Sequence, residues 1–459
     1  MNNKGNIAMA LKFKVQGLGK IENAEINISP LTVITGPNGT GKSFFTKMAY
    51  SIFRLIEDVS LTKELIEDVE LSIECIESVL EKENIDPTLN IVLKALRVKL
   101  LALFQKFELS LTHREFHFTS DSFEVDIKAL QETYDEVLSL KSKIDDKEIN
   151  SELSGLATFI EHLFIFFDGI AGSYNVLINK RILGELQDNY QVDRISDLMS
   201  KETLTLELEG FYKLTGTDSL LDFEVQDKAI SVFKSKPNSV FFESPAYWRV
   251  RDALVSAKMK SGDGYLSGVP KYFFDLDSDL RKKSKVESEL LPIYEAIKSE
   301  LAGEFIFEGS DISFKDATLD KKISKNLVSF GMTNLGMLNA LIKNNVIKKG
   351  SYVFIDEPET AKHPDWQVLM IKVLTELSRA EVNVIITTHS TEILKYIEVR
   401  FQAIKEEEGE ERVKELLSVN YLDTDGTSLE FDSECPIEQT KEALSELSSP
   451  FFDLYMERK

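Results

Sequence analysis

Residues Leu31 to Ser43, LTVITGPNGTGKS, constrain this chain more than any other stretch. Leu31 to Thr35 is a short, apolar, β-branched run and reads as a buried strand. It leads directly into Gly36, Pro37, Asn38, Gly39, Thr40, Gly41, Lys42 and Ser43. That is G-x-x-x-x-G-K-S in full, with a helical pattern from Phe44 onward. The glycines let the backbone wrap a phosphate so that its N–H groups point inward. Lys42 brings a point charge to the β- and γ-phosphates, and Ser43 offers a hydroxyl to Mg²⁺. The helix sets its positive end beneath the phosphates. With a strand before it and a helix after it, the motif predicts a nucleoside triphosphate site.

At 459 residues the chain is too long for one small core, and two or three domains are expected. Lys and Arg number 54 against 77 Asp and Glu, a net charge of −23 spread along the chain. That balance argues against a broad nucleic-acid-binding face, while leaving a local basic patch open. Cys75 and Cys435 lie far apart in sequence and read as free thiols in a reducing cytoplasm. No apolar run approaches the roughly 20 residues of a membrane span, and the N-terminus lacks a signal-peptide core. A cytoplasmic protein without membrane contact is therefore expected.

Two strands, with apolar faces at Leu11, Phe13 and Val15 and at Ile21, Ala24, Ile26 and Ile28, deliver the chain to the phosphate loop. From about Ile52 the period changes. Ile66, Val69, Ile73, Ile76 and Leu80 step by three and four, Asp86-Pro87 breaks the pattern, and further helices follow at 91–107, 129–144 and 152–167. Residues 56–200 thus read as a mostly helical insertion, flanked by head segments 1–55 and 201–459. His113, His117 and His162 lack partners at ligand spacing and read as packing or surface residues. Strands are expected at 203–211, 221–233 and 239–245. The pair Arg249 and Arg251 fits either a functional cation near the nucleotide or a solvated helix start. Gly262 to Pro270 reads as a loop, 290–301 as a helix, and 304–308 with 311–315 as a hairpin around Gly309-Ser310.

Ser351 to Glu359, SYVFIDEPE, is an apolar strand ending in two carboxylates. Such a strand is expected beside the phosphate-loop strand, with Asp356 in the Mg²⁺ shell and Glu357 polarising the attacking water. Val382 to Ser390, VNVIITTHS, is another buried strand, reached by one crossover helix at 366–379. Its terminal His389 can sense a γ-phosphate by hydrogen bond.

The order of phosphate loop, helical insertion, Ser/Gly segment, acid strand and strand-His resembles the ABC-type ATPase head shared by SMC-like, RecF-like and OLD-type proteins. EPETAKHP, Glu357 to Pro364, is similar to the Walker B and D-loop region of the OLD/RecF-like branch. The resemblance covers roughly residues 9–55 and 235–400. It implies an α/β P-loop NTPase fold, a mixed sheet plus an antiparallel β subdomain, and ATP with Mg²⁺ as ligands. It also implies a small hydroxyl residue and a glycine reaching the γ-phosphate of a second copy, and Ser329 and Gly331 match these best, with Phe330 between them departing from the usual small residue. A homodimer or higher oligomer around ATP follows. Heads of this size resemble ATPase subunits of antiphage systems such as Septu and PARIS. The tail, read as a hairpin over 417–421 and 428–431 and then a helix, is too short for a TOPRIM nuclease, so a separate effector such as a nuclease is expected. The alternative is a RecF- or SMC-like DNA repair or DNA-clamping ATPase, against which the acidic balance leans.

Overall fold

Three strands open the described chain: β1 (Leu11–Leu18), β2 (Ile21–Ile28) and β3 (Leu31–Thr35). The computed structural model describes residues 11–58, 61–83, 85–112, 123–226, 229, 238–243, 246–261, 266–308, 311–319 and 321–456. His113, His117, the turn Gly309-Ser310 and the first part of the loop from Gly262 fall outside them. The chain divides into two compact units, Asp58–Ile178 and the remainder. The expected insertion ended at residue 200, but the segment from Asn179 belongs to the unit that holds β3.

That unit contains three sheets. Helix α1 (Lys42–Asp58) follows β3. Its apolar face, with Phe45, Met48, Ile52 and Phe53, is fully or nearly fully buried. The antiparallel sheet runs β2-β1-β4-β5-β6, where β4 is Leu204–Leu208, β5 Tyr212–Gly216 and β6 Leu221–Val225. Alternation along β4 and β5, buried at every second residue, is what a sheet with one covered face demands. Strand β5 lies within a stretch that the sequence reading left unassigned.

The central sheet adds β7 (Ser239–Phe242), β11 (Tyr352–Asp356), β12 (Asn383–Thr387) and β13 (Leu417–Tyr421). Its order is β13-β3-β12-β11-β7, and all four pairings are parallel. Strands buried on both faces read as continuous apolar runs, which explains SVFF, YVFI and NVII. Two expectations are corrected here. The acid strand β11 does not lie beside β3, because β12 takes the place between them. Strand β13 extends the central sheet in parallel rather than forming a two-strand hairpin. Only a single bridge, Leu422 to Ser428, closes behind it, around a turn at Gly426 with φ +83°.

A third, small sheet orders β10-β9-β8, from β8 (Gly303–Glu308), β9 (Asp311–Asp316) and β10 (Lys321–Ser324).

Behind α1 lies a buried polar cluster. Helix α8 (Lys271–Asp279) buries Lys271, Asp275, Asp277 and Asp279. Arg54 Nη1 on α1 meets Asp279 Oδ2 at 2.9 Å, Tyr50 donates to Asp275 at 3.0 Å, and Lys271 lies 2.8 Å from Asp275. On helix α7 (Ala246–Ser261), Arg251 grips Asp277 with two nitrogens at 2.6 and 2.8 Å. Arg251 is therefore neither a free functional cation nor a solvated one: it is a buried structural partner, 2% exposed.

The second unit is helical. Helices α2 (Leu61–Leu80), α3 (Pro87–Thr112), α4 (Glu124–Lys141) and α5 (Lys147–Asp168) share one core of Leu65, Val69, Leu96, Leu100, Leu130, Leu153 and Ile160 among others. Helix α6 (Ile170–Tyr190) then leads the chain back. Asp86 breaks the pattern as its chemistry dictates, accepting the N–H groups of Thr88 and Leu89 at 2.8 and 3.0 Å with Pro87 at the first helical position. Among the described residues no helix is long and apolar enough to cross a membrane.

Candidate functional site

The chain turns from β3 into α1 through a loop with positive φ at Gly36 (134°), Gly39 (78°) and Gly41 (100°). The space is as demanding as the torsions. A Cβ on Gly36 would stand 2.0 Å from the carbonyl oxygen of Leu422, and one on Gly41 would meet Ile21 Cγ1 at 2.6 Å. Thr40 Oγ1 closes the turn on the Pro37 carbonyl at 3.1 Å. Lys42 is 7% exposed, and its amine donates to the carbonyls of Gly36 (2.8 Å) and Pro37 (2.6 Å), so its charge lies inside the loop. Burial lowers its pKa, and Glu357, Asp356 and Glu359 pull the other way.

The ends of β11 and β12 complete the cluster. Ser43 Oγ donates to Asp356 Oδ1 at 2.9 Å, and Thr387 Oγ1 donates to the same oxygen. Burial raises the pKa of Asp356, while these two hydrogen bonds work against the shift. A carboxylate and a hydroxyl on adjacent elements leave most of an octahedral shell to phosphate and water, which suits Mg²⁺. Among the described residues no group of three or more His, Cys, Asp or Glu is placed to share a metal.

Glu357 is held at both oxygens. His389 Nδ1 stands 3.0 Å from Oε1, and Thr360 Oγ1 donates to Oε2 at 3.1 Å. Its backbone N–H reaches the Thr387 carbonyl at 3.0 Å. His389 Nδ1 also lies 3.9 Å from Glu359 Oε1, which accepts from Thr388 Oγ1 at 2.7 Å. Burial pushes the Glu359 carboxyl up. One imidazole thus sits between two carboxylates, one of them locked between a histidine and a threonine.

Several members of this cluster were not singled out in the sequence. Glu243, directly after β7, is bound by Lys47 Nζ at 2.9 Å and by the Tyr272 hydroxyl at 2.6 Å. Its charge acts on Asp356. The signal was present: SVFFE repeats the pattern of an apolar strand ending in a carboxylate that marks Asp356. Lys47 lies one helical turn beyond Ser43, and Thr387 and Thr388 immediately precede His389.

Ser329 and Gly331 take a different place. Ser329 is the N-cap of α10 (Phe330–Lys343), its Oγ accepting the Met332 N–H at 3.4 Å. A Cβ on Gly331 would lie 3.5 Å from Lys362 Cγ and 3.7 Å from Trp366 Cγ. Among the described residues no hydrogen bond joins either of them to the phosphate loop.

The solved structures similar to this chain include the SMC head domain from Thermotoga maritima, at 11% identity and a TM-score of 0.34, covering 92% of this chain and 100% of that one. The SmcHead bound to the C-winged helix domain of ScpA gives 13% identity and a TM-score of 0.36, covering 91% and 95%. The Smc head domain with an extended coiled coil from Pyrococcus furiosus, bound to the C-terminal domain of ScpA, gives 11% and 0.30, covering 95% and 98%. These superpositions are too loose to bear on function. Curated proteins give no match. A family model described as the AAA ATPase domain matches residues 9–394, a span that holds the phosphate loop, both carboxylates of the acid strand and His389. The chain therefore belongs to the AAA ATPase domain family and is an ATP-binding P-loop ATPase.

Proposed function

We propose that two copies of this ATPase close around ATP, and that hydrolysis releases them, so that the head acts as a nucleotide-controlled switch on a separate effector protein, such as a nuclease, in antiphage defence. The observation that carries the catalytic part is the meeting of Ser43 with Asp356 at 2.9 Å and of His389 with Glu357 at 3.0 Å. The loop amides of Gly36 to Gly41 and the amine of Lys42 would receive the β- and γ-phosphates. Ser43 and Asp356 would hold Mg²⁺, which shields the phosphate charge. Glu357, fixed at both oxygens, would take the proton of the attacking water, and His389 would keep its carboxylate aimed. Ser329 and Gly331 stand at the N-terminus of α10 with no hydrogen bond to their own loop among the described residues, and a segment at a helix N-terminus suits the phosphate of a second copy.

Two features support an effector rather than DNA as the thing controlled. EPETAKHP resembles the OLD-type branch, and the net charge of −23 disfavours a DNA-clamping face. The direct test is in cells. A strain carrying the gene with its flanking reading frames should plate phage less efficiently than one carrying Lys42→Ala in the same frames. Equal plating by both strains, together with ATP-dependent retention of plasmid DNA by the purified protein, would replace the effector reading by DNA clamping.

A further inference from the structure

Ser43 and Phe44 are neighbours on the first turn of α1, and they face different surroundings. Ser43 meets Asp356 at the end of β11. Phe44 lies against the turn between β1 and β2. A Cβ on Gly19 would stand 2.7 Å from Phe44 Cδ1, so the ring has its place only because residue 19 carries no side chain. The same turn backs the phosphate loop. Lys20 Nζ would be 3.6 Å from a Cβ on Gly39, and Ile21 Cγ1 2.6 Å from one on Gly41.

The sheet order tells which end of a nucleotide belongs there. On one side of β3 stand β12 and β11, with Asp356, Glu357 and His389 at or just beyond their ends; on the other stands β13. The β1–β2 turn is tied to the β13 side, since the Glu22 N–H donates to the Gly426 carbonyl at 2.8 Å in the segment that follows β13. A triphosphate with its terminal phosphate toward β11 and β12 therefore leads its sugar and base out past Phe44 and Lys20. What stands there suits a nucleoside. Phe44 is 36% exposed, an aromatic ring open to solvent one residue after the loop serine. Lys20 is exposed and makes no ion pair among the described residues.

The ring is also held. Tyr190, the last residue of α6, has its ring 5.5 Å from that of Phe44, and its hydroxyl donates to the Phe44 carbonyl. The residues on either side of Tyr190 anchor it. Asn189 Nδ2 donates to Ser51 Oγ on α1 at 3.0 Å, and Gln191 Oε1 accepts the Gly268 N–H at 2.7 Å. An aromatic face fixed in this way stacks on a planar base at little cost in side-chain freedom.

We propose that Phe44 is the stacking platform for the base of the bound nucleotide, that Lys20 meets the phosphate nearest the sugar, and that Tyr190 is the positioning residue that holds the platform. The inference rests on the phosphate-loop reading above and adds the end of the nucleotide that the loop does not grip. It also ties affinity for the nucleoside to α6, the helix by which the chain returns from the helical unit.

The test compares two ligands on the full chain by calorimetry with Mg²⁺: a non-hydrolysable ATP analogue, and tripolyphosphate, which has the phosphates and no nucleoside. The parent should bind the analogue more tightly. Phe44→Ala should weaken the analogue by about 5- to 100-fold, the range for losing one base–aromatic stack, and leave tripolyphosphate unchanged. Phe44→Trp should keep the analogue. Tyr190→Phe should weaken it by a smaller factor, again with tripolyphosphate untouched, whereas Lys20→Met should weaken both ligands. Phe44→Leu keeps the bulk and loses the aromatic face, and it should show the same selective loss if the alanine variant does not fold. Analogue affinity equal to the parent's in both Phe44→Ala and Phe44→Leu overturns the platform. So does an equal loss of both ligands, which would make Phe44 a support of the loop. A parent that binds neither ligand removes the phosphate-loop reading and the platform with it.

Discussion

Glu357 carries a φ of +51°, a left-handed conformation that residues other than glycine adopt at a cost of roughly 1–2 kcal/mol. The chain leaves the sheet at this residue: its N–H still makes the ladder bond to the Thr387 carbonyl of β12, while its own carbonyl already accepts the Thr360 N–H of the turn that follows. The strain falls on the residue whose carboxylate is gripped by His389 and Thr360, so the carboxylate proposed as the base has little freedom left. Glu357→Gln keeps shape and contacts but cannot accept a proton. Turnover should fall by about 10² to 10⁴ with ATP affinity retained, read by phosphate release and by calorimetry. Near-normal turnover would move the base to Glu359. At this scale the sequence was legible where an apolar strand ended in a chemically distinctive residue, as at Asp356, Glu357 and His389. Thr387 was not, because a threonine next to a histidine looks like any β-branched residue until its hydroxyl is seen on Asp356.

The elements were visible individually, but their neighbours were not. Period two identifies a strand and says nothing about which strand lies beside it. Hence β3, β11 and β12 were all found while the place of β12 between the other two was not anticipated, and β13 was given a hairpin partner instead of β3. The short strand β10 and helix α6 lacked a distinctive stripe and went unassigned. The packing of the phosphate loop against the chain after β13 has a consequence that can be measured. Gly36 has no room for a methyl group, since the Leu422 oxygen would be 2.0 Å away, and that oxygen belongs to backbone rather than to a movable side chain. Gly36→Ala should lower stability by about 1–3 kcal/mol and weaken ATP binding, seen as a lower melting temperature and a higher dissociation constant. An unchanged melting curve would mean that the loop and Leu422 do not pack in this way.

The molecule as a whole is strongly acidic, and two copies approaching one another bring −23 against −23. Screening lengths fall from about 30 Å at 0.01 M salt to about 8 Å at 0.15 M. An ATP-driven homodimer should therefore tighten as salt rises through that range, whereas a DNA clamp would loosen, because phosphate contacts release counterions. Sedimentation and DNA retention measured across the same salt series separate the two, and dimerisation that weakens steeply with salt would count against the pairing proposed here. The order of the central sheet also fixes when this molecule can begin to work. Thr32 on β3 touches Ser418 on β13 across 386 residues, and Ser43 meets Asp356 across 313. At roughly 5–20 residues per second, a ribosome needs about 20–80 seconds between emitting the first strand of that sheet and the last. Until β12 emerges, for most of that interval, the apolar edges of β3 have no neighbour from their own sheet, so the nascent chain must be sheltered while it waits, and ATP hydrolysis can begin only once synthesis has passed nearly all of the sequence.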